Sequence, residues 1–371
     1  MGADPSAFAD VFSLDAVDRL ISSFARLPAF RLVRNGTPVD PARYTRSARL
    51  GGQTVSGVGD PVKVWEEFRT GATIVLQGLQ RYWPPLARFC RALELELTHP
   101  VQANAYVTPA GAQGLAVHYD THDVFVLQVA GSKEWELFAP VFVDPLASQP
   151  WAQHKTADTG PPVLSVDLQA GDSLYVPRGF LHSARAQKQL SAHVTIGVLA
   201  ETRHDVLREV IALAADDLAF RATLGPGFAH DEQAFAKEVD ATIGDLRRWL
   251  DTVDADAVAA TIARRFWSSR RPLMDGHLAQ LLALDSIADS TVLRRRPGSI
   301  CHAYLEGDAL VVILGDRRLR MPASLAPALR RVAAGNAFAL ATLGDLMDES
   351  SRLVLARRLV REGLVEIVAV G

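Results

Sequence analysis

Three residues of this 371-residue chain have types and spacing that could do chemistry: His118, Asp120 and His182. Two histidines and one carboxylate form the facial triad that holds non-haem Fe(II) and leaves coordination positions open. His118 and Asp120 are two residues apart, and on a strand residues i and i+2 point to the same face. The flanks, Gly114-Leu115-Ala116-Val117 and residues 124–129, read as strand. His182 lies 62 residues beyond Asp120. It follows a tight turn at Gly171-Asp172, an apolar strand over 173–176 and the turn Pro177-Arg178-Gly179. That order turns a histidine back into a barrel. A single His-x-Asp arises by chance about once in a chain of this size, so the context of His182 carries the weight. His122-Asp123 also reads as a solvated loop or a strand-end hydrogen bond.

Other side chains must sit around such a centre. Ala130-Gly131-Ser132 reads as a turn and 133–138 as the returning strand, with Lys133, Trp135 and Leu137 on one face. If that face looks inward, a buried ammonium needs an anion, and a dicarboxylate supplies one. The alternative is a lysine that snorkels to water. Gln102, Asn104 and Tyr106 share one face of the alternating run 101–107. They line either a barrel mouth or the wet face of an edge strand. Ser191, His193, Thr195 and Gly197 face one way on a third run, where His193 reads as a barrel histidine outside the triad.

These segments carry a resemblance. Residues 118–125 (His-Tyr-Asp-Thr-His-Asp-Val-Phe), 128–135 (Gln-Val-Ala-Gly-Ser-Lys-Glu-Trp) and 176–182 (Val-Pro-Arg-Gly-Phe-Leu-His) resemble the JmjC-type cupin family, and within it the ribosomal-oxygenase group. The likeness runs over about residues 70–200. It implies a double-stranded β-helix and an Fe(II)- and 2-oxoglutarate-dependent protein hydroxylase. His118, Asp120 and His182 would hold the metal. Lys133 would bind a 2-oxoglutarate carboxylate, Asn104 and Thr195 would help position the cosubstrate, and Tyr106 would face the substrate. The chain has Gly197 where some relatives carry serine, which leaves open which hydroxyl helps hold the cosubstrate. The resemblance also implies oxidative decarboxylation of 2-oxoglutarate to succinate, with hydroxylation of Arg or His in a ribosomal protein. Hydroxylation of a peptide natural product or small molecule, and a non-catalytic ligand-sensing DNA-binding regulator, are the competing readings. The intact triad with Lys133 favours an enzyme.

Length predicts more than one domain. Hydrophobic residues at 49% and charged residues at 22% are ordinary for a globular protein. A net charge of −3 argues against a globally basic nucleic-acid binder. Cys90 and Cys301 are the only cysteines, which excludes a disulfide framework or zinc cluster and fits the cytoplasm. The first residues lack a basic and apolar leader pattern. Gly2 with Ser6 matches the short myristoylation pattern and is given no role. No apolar stretch approaches a membrane span.

The expected architecture is α+β: a catalytic cupin barrel over 1–200, a helical dimerisation segment over 201–275 and a winged-helix-like domain over 276–371. Ser13 reads as the N-cap of a first helix. Residues 84–97 form an amphipathic helix with Leu86, Phe89, Cys90, Leu93 and Leu97 on one stripe. Helices are expected over 205–223, 231–249 and 255–267. Residues 201–256 hold 13 acidic and 6 basic side chains. Leu207, Ile211, Ala214, Leu218 and Leu224 mark a stripe that must be covered by a second chain or buttress the barrel. The resemblance implies a homodimer there. The C-terminal segment reads as a buried strand at 310–314, helices at 327–334 and 350–362 and a strand at 364–370. From residue 291 it holds 12 arginines and 8 acidic residues. A solvated surface accounts for these better than nucleic-acid binding does.

Overall fold

The alternation along residues 101–108 produces the strand around which the first half of the chain is organised. The computed structural model describes residues 4–23, 25–153 and 159–369. Gly2 and Val370 lie outside them. The chain separates into two units, Met1–Ala200 and Glu201–Gly371.

The first unit runs α1 (Leu14–Ser23), β1 (Phe30–Arg34), β2 (Thr37–Pro38), β3 (Thr45–Leu50), β4 (Gln53–Gly59), α2 (Pro61–Arg69), β5 (Thr73–Leu76), α3 (Pro84–Leu97), β6 (Val101–Thr108), β7 (Asp123–Ala130), β8 (Ser132–Pro140), β9 (Leu164–Gln169), β10 (Ser173–Val176), β11 (Phe180–Ala186) and β12 (Ser191–Val198). Seven strands make one antiparallel sheet in the order β10-β7-β12-β6-β5-β1-β2, and β11-β8-β9 make a second. β6 therefore lies inside its sheet, between β12 and β5, and is not an edge strand.

Period-two alternation gives the large sheet two different faces. Ala103, Ala105, Val107, Val194 and Ile196 are buried on one face with Leu32, Ile74 and the apolar residues of α1 and α3. The other face turns Asn104, Tyr106, His193 and Thr195 toward the small sheet. Val124, Val126 and Val176 there join Trp135, Leu137 and Leu168 in a second core. Each fully buried aliphatic side chain contributes about 1.5–3 kcal/mol. The turn from β7 to β8 needs Gly131: its φ is +62°, and a Cβ there would lie 1.8 Å from Leu190 O.

Local signals are realised as read in several places. Ser13 Oγ accepts from Ala16 N at 3.3 Å at the start of α1. In α3, Leu86 and Cys90 are buried, but Leu97 is exposed and the buried face also holds Arg91 and Glu94, paired at 2.9 Å. Residues 114–117 are not a strand. Isolated bridges flank this stretch, Gln113 to Arg185 and His118 to His182, and Gly36 N–H donates to Gly114 O at 2.8 Å.

The second unit runs α4 (Arg203–Leu213), α5 (Glu232–Leu250), α6 (Ala255–Ser268), α7 (His277–Leu282), β13 (Val292–Arg295), β14 (His302–Glu306), β15 (Ala309–Ile313), β16 (Arg318–Pro322), α8 (Ala326–Ala333), β17 (Phe338–Ala339), α9 (Glu349–Arg361) and β18 (Val365–Ala369). The helix expected over 205–223 stops at Leu213 and continues as short 3-10 turns. A Thr202–Asp205 capping box starts it. The C-terminal core packs α8 and α9 against apolar residues of β13, β15, β16 and β18. No helix among the described residues is long and apolar enough to cross a membrane.

Candidate metal centre

His118 and His182 face each other across one antiparallel bridge. Each backbone N–H donates to the other's carbonyl, at 3.2 and 2.8 Å. Their ring centroids are 4.4 Å apart. Asp120 sits in a loop whose position is fixed by Gly179 N–H, which donates to Asp120 O at 3.0 Å. Asp120 Oδ2 then lies 3.9 Å from His182 Nε2, and one donor atom from each of the three residues falls within 4.8 Å of the others. The convergence expected of strand alternation is thus reached by a bridge and a pinned loop instead.

The donor set fits a divalent metal. His118 Nδ1 lies 2.8 Å from Ala116 O, and His182 Nδ1 lies 3.1 Å from Phe180 O. A carbonyl only accepts, so each Nδ1 carries the proton and each Nε2 presents a lone pair to the centre. Burial, followed by the neighbouring His118, lowers the His182 pKa to about 4, so its ring is neutral at pH 7, the form a metal takes. Nitrogen, nitrogen and carboxylate oxygen with an open side is the Fe(II) facial arrangement. His122 is outside it: its Nε2 lies 3.4 Å from Gln102 Nε2.

The centre opens into a cavity of about 150 Å³. Asn104, Tyr106, Lys133 and Thr195 all line it with the three triad residues. Lys133 is buried and does not snorkel. Its Nζ donates to Thr108 Oγ1 at 3.2 Å, and Thr73 Oγ1 lies 3.1 Å from the same oxygen. No carboxylate pairs with Lys133 among the described residues. Burial alone pulls its pKa down to about 7. Two further buried groups on the cavity wall, Trp135 Nε1 and His193 Nδ1, have no hydrogen-bond partner among the described residues. A buried donor or cation without a partner is costly, and an anionic ligand would pair with the Lys133 ammonium and accept from Trp135 Nε1–H.

Asn104 Oδ1 accepts from Gly78 N at 3.0 Å, which fixes its side chain. Tyr106 stacks on His193 at 5.0 Å, and burial pushes its pKa to about 12, so it stays a neutral donor. Gly197 has a steric reason: a Cβ there would lie 2.6 Å from His122 Cδ2. Sequence reasoning missed Thr73 and Thr108. Thr108 was within reach, because it extends the Gln102, Asn104, Tyr106 face by one step. Thr73 was not, since only strand pairing brings it beside Thr108.

The Lys133 shift gives a pH prediction. Its folded pKa is lowered from 10.5 to about 7, so between those values the unfolded chain holds a proton that the folded chain lacks. Stability therefore rises with pH across that window. Thermal melts from about pH 7 to about pH 10 should show this rise in the wild type and a flatter profile in Lys133→Met. Equal pH dependence in the two proteins would contradict it.

Residues 76–206 match the JmjC domain family. The chain thus carries a JmjC domain over residues 76–206, in a first unit that has the cupin fold. It is 28% identical over 290 residues to the bifunctional lysine-specific demethylase and histidyl-hydroxylase NO66 of Dictyostelium discoideum, covering 77% of this chain and 52% of that protein. It is 32% identical to ribosomal oxygenase 1 of Bos taurus, covering 85% of this chain and 43% of that one. The chain thus spans about half the length of these relatives. Among solved structures it is similar in fold to the Escherichia coli ribosomal oxygenase YcfD, with TM-score 0.53 and 18% identity over 98% of this chain and 91% of that one. A YcfD complex with cobalt and 2-oxoglutarate aligns at TM-score 0.50 and 19% identity, over 99% of this chain and 91% of that one.

Proposed function

We propose that this chain is an Fe(II)- and 2-oxoglutarate-dependent oxygenase that hydroxylates a side chain of a ribosomal protein. One observation carries the reading: the His118, Asp120 and His182 donors converge beside a buried lysine that has no anionic partner among the described residues. Iron bound there with 2-oxoglutarate would supply oxygen activation and C–H hydroxylation. The chain's own residues bind, orient and exclude water. Lys133 would pair with the distal carboxylate of 2-oxoglutarate, and Thr195 and Asn104 would hold its flank. Tyr106 would face the substrate side chain. The names of the relatives and the YcfD complexes with cobalt and 2-oxoglutarate or succinate point the same way.

Asp120 is the only carboxylate on the cavity wall among the described residues, and it belongs to the metal set. The hydroxylated side chain is proposed to be Arg or His, as the resemblance implies. A ribosomal substrate would place the protein in the cytoplasm. The test is direct. Purified chain, Fe(II) and 2-oxoglutarate are incubated with total ribosomal protein under air, followed by tandem mass spectrometry. One residue gaining a single oxygen is the expected result, and none gaining oxygen would contradict it.

The second unit is proposed to comprise a helical dimerisation segment over 201–275 and a winged-helix-like domain over 276–371. The helices support pairing of two copies. Neither α4 nor α5 buries a residue, and Leu207, Ile211 and Leu218 are 61%, 48% and 76% exposed. Apolar area of this extent marks an interaction surface. Leu207→Arg with Ile211→Arg should convert a dimer to a monomer in size-exclusion with light scattering and leave Fe(II) binding intact. A wild type that is monomeric at micromolar concentration would sink this assignment.

A further inference from the structure

β16 is the free edge of the β14-β15-β16 sheet. Leu314 N–H donates to Arg317 O at 2.9 Å, and Ala323 N–H donates to Asp308 O at 3.1 Å. Hydrogen-bonded pairs alternate along an antiparallel ladder. Leu319 and Met321 therefore bond toward β15, and the backbone N–H and C=O groups of Arg318 and Arg320 face away from the sheet. α9 runs along the same side. Between them lies an open groove of about 780 Å³, lined among others by Arg320, Met321, Val354, Arg357, Arg358 and Arg361, with no carboxylate on its wall among the described residues.

The charges in this groove are unevenly compensated. Arg320 pairs with Glu306, and Arg358 pairs with Glu362 at 3.0 Å. Among the described residues Arg357 donates only to the carbonyls of Leu284 and Ile287, at 3.3 and 3.5 Å. Arg361 has no carboxylate within ion-pair distance among the described residues. Two uncompensated cations thus stand one helical turn apart, about 6 Å along α9. Val354, one turn before Arg357 and Arg358, is 68% exposed.

We infer that this groove binds a short acidic segment of a partner protein in extended form, added as a fourth strand on β16. Carboxylates at i and i+2 of an extended peptide lie about 6.5–7 Å apart, which matches the Arg357–Arg361 spacing. An apolar side chain between or beside them covers Val354 and Met321. The free backbone groups of Arg318 and Arg320 supply the pairing that β-strand addition uses. A nucleic acid fits less well. Asp348 and Glu349 stand at the far end of α9, and the centre of the groove is apolar. The inference is independent of the metal centre.

A random heptapeptide library panned on the intact chain, with counter-selection on Val354→Glu/Arg361→Glu, tests it. Both replaced side chains are exposed, and circular dichroism checks that the variant folds. Enriched peptides should carry two Asp or Glu residues, two apart, beside an apolar residue. They should bind Arg361→Glu at least about tenfold more weakly, a loss of about 1.4 kcal/mol. They should also slow amide exchange at 318–322 and 349–361. The inference is overturned by no enrichment over the variant, by enrichment of non-acidic peptides, or by protection confined to other residues. Displacement of the peptides by a single-stranded oligonucleotide that binds the groove more tightly would overturn it in favour of nucleic acid.

Discussion

Replacing Lys133 with alanine is expected to raise the 2-oxoglutarate concentration for half-maximal turnover by about 10²–10³-fold. Lys133 is buried, and among the described residues it lacks an anionic partner and hydrogen-bonds only to Thr108 Oγ1. A dicarboxylate entering the cavity would meet a desolvated ammonium. Removing one member of such a pair strands the other charge, at a cost of about 3–5 kcal/mol, and each 1.4 kcal/mol is about a factor of ten in affinity. The Fe(II) requirement should move little, because Lys133 is not among the three donors. Steady-state kinetics with each component varied in turn separates the two. Equal shifts in both requirements would mean that Lys133 supports the fold of the site rather than the cosubstrate.

The larger effect is expected at Asp120. Asp120→Ala removes the only oxygen donor of the set and leaves two imidazoles whose Nδ1 atoms are already committed to Ala116 O and Phe180 O. Metal-dependent turnover of 2-oxoglutarate should fall below detection, a loss of at least about 10³-fold, or about 4 kcal/mol of activation free energy. The fold should survive, since Asp120 is held to Gly179 through its backbone carbonyl, which alanine keeps. An unchanged melting temperature with no turnover is the expected pair of results. Turnover at the wild-type rate would remove Asp120 from the metal set.

The sequence was readable wherever a local pattern has a local cause. Alternation placed Lys133, Trp135 and Leu137 on one face, and all three are buried. It also grouped Asn104 with Tyr106, and both line the cavity. The Ser13 cap and the bounds of α3 followed from the same kind of signal. What failed depended on distant partners. Residues 114–117 look like a strand in composition, but they join no ladder and are held by flanking bridges and by Gly36 N–H on Gly114 O, so His118 and Asp120 converge by another route. The polar face of β6 could have belonged to an edge strand, because strand order is set by pairing across the sheet. Gly197 looked like a missing hydroxyl. Its cause is the His122 ring, 75 positions earlier in the chain, packed where a Cβ would stand.

The most direct measurement is an anaerobic titration of the intact chain with Fe(II), with and without 2-oxoglutarate, followed by calorimetry. One Fe(II) per chain is expected, bound more tightly when 2-oxoglutarate is present. That coupling should be lost in Lys133→Ala, and the binding itself should be lost in Asp120→Ala. A wild-type chain that takes up no stoichiometric Fe(II), or an Asp120→Ala chain that binds it as tightly as the wild type, would contradict the metal centre on which the functional reading stands.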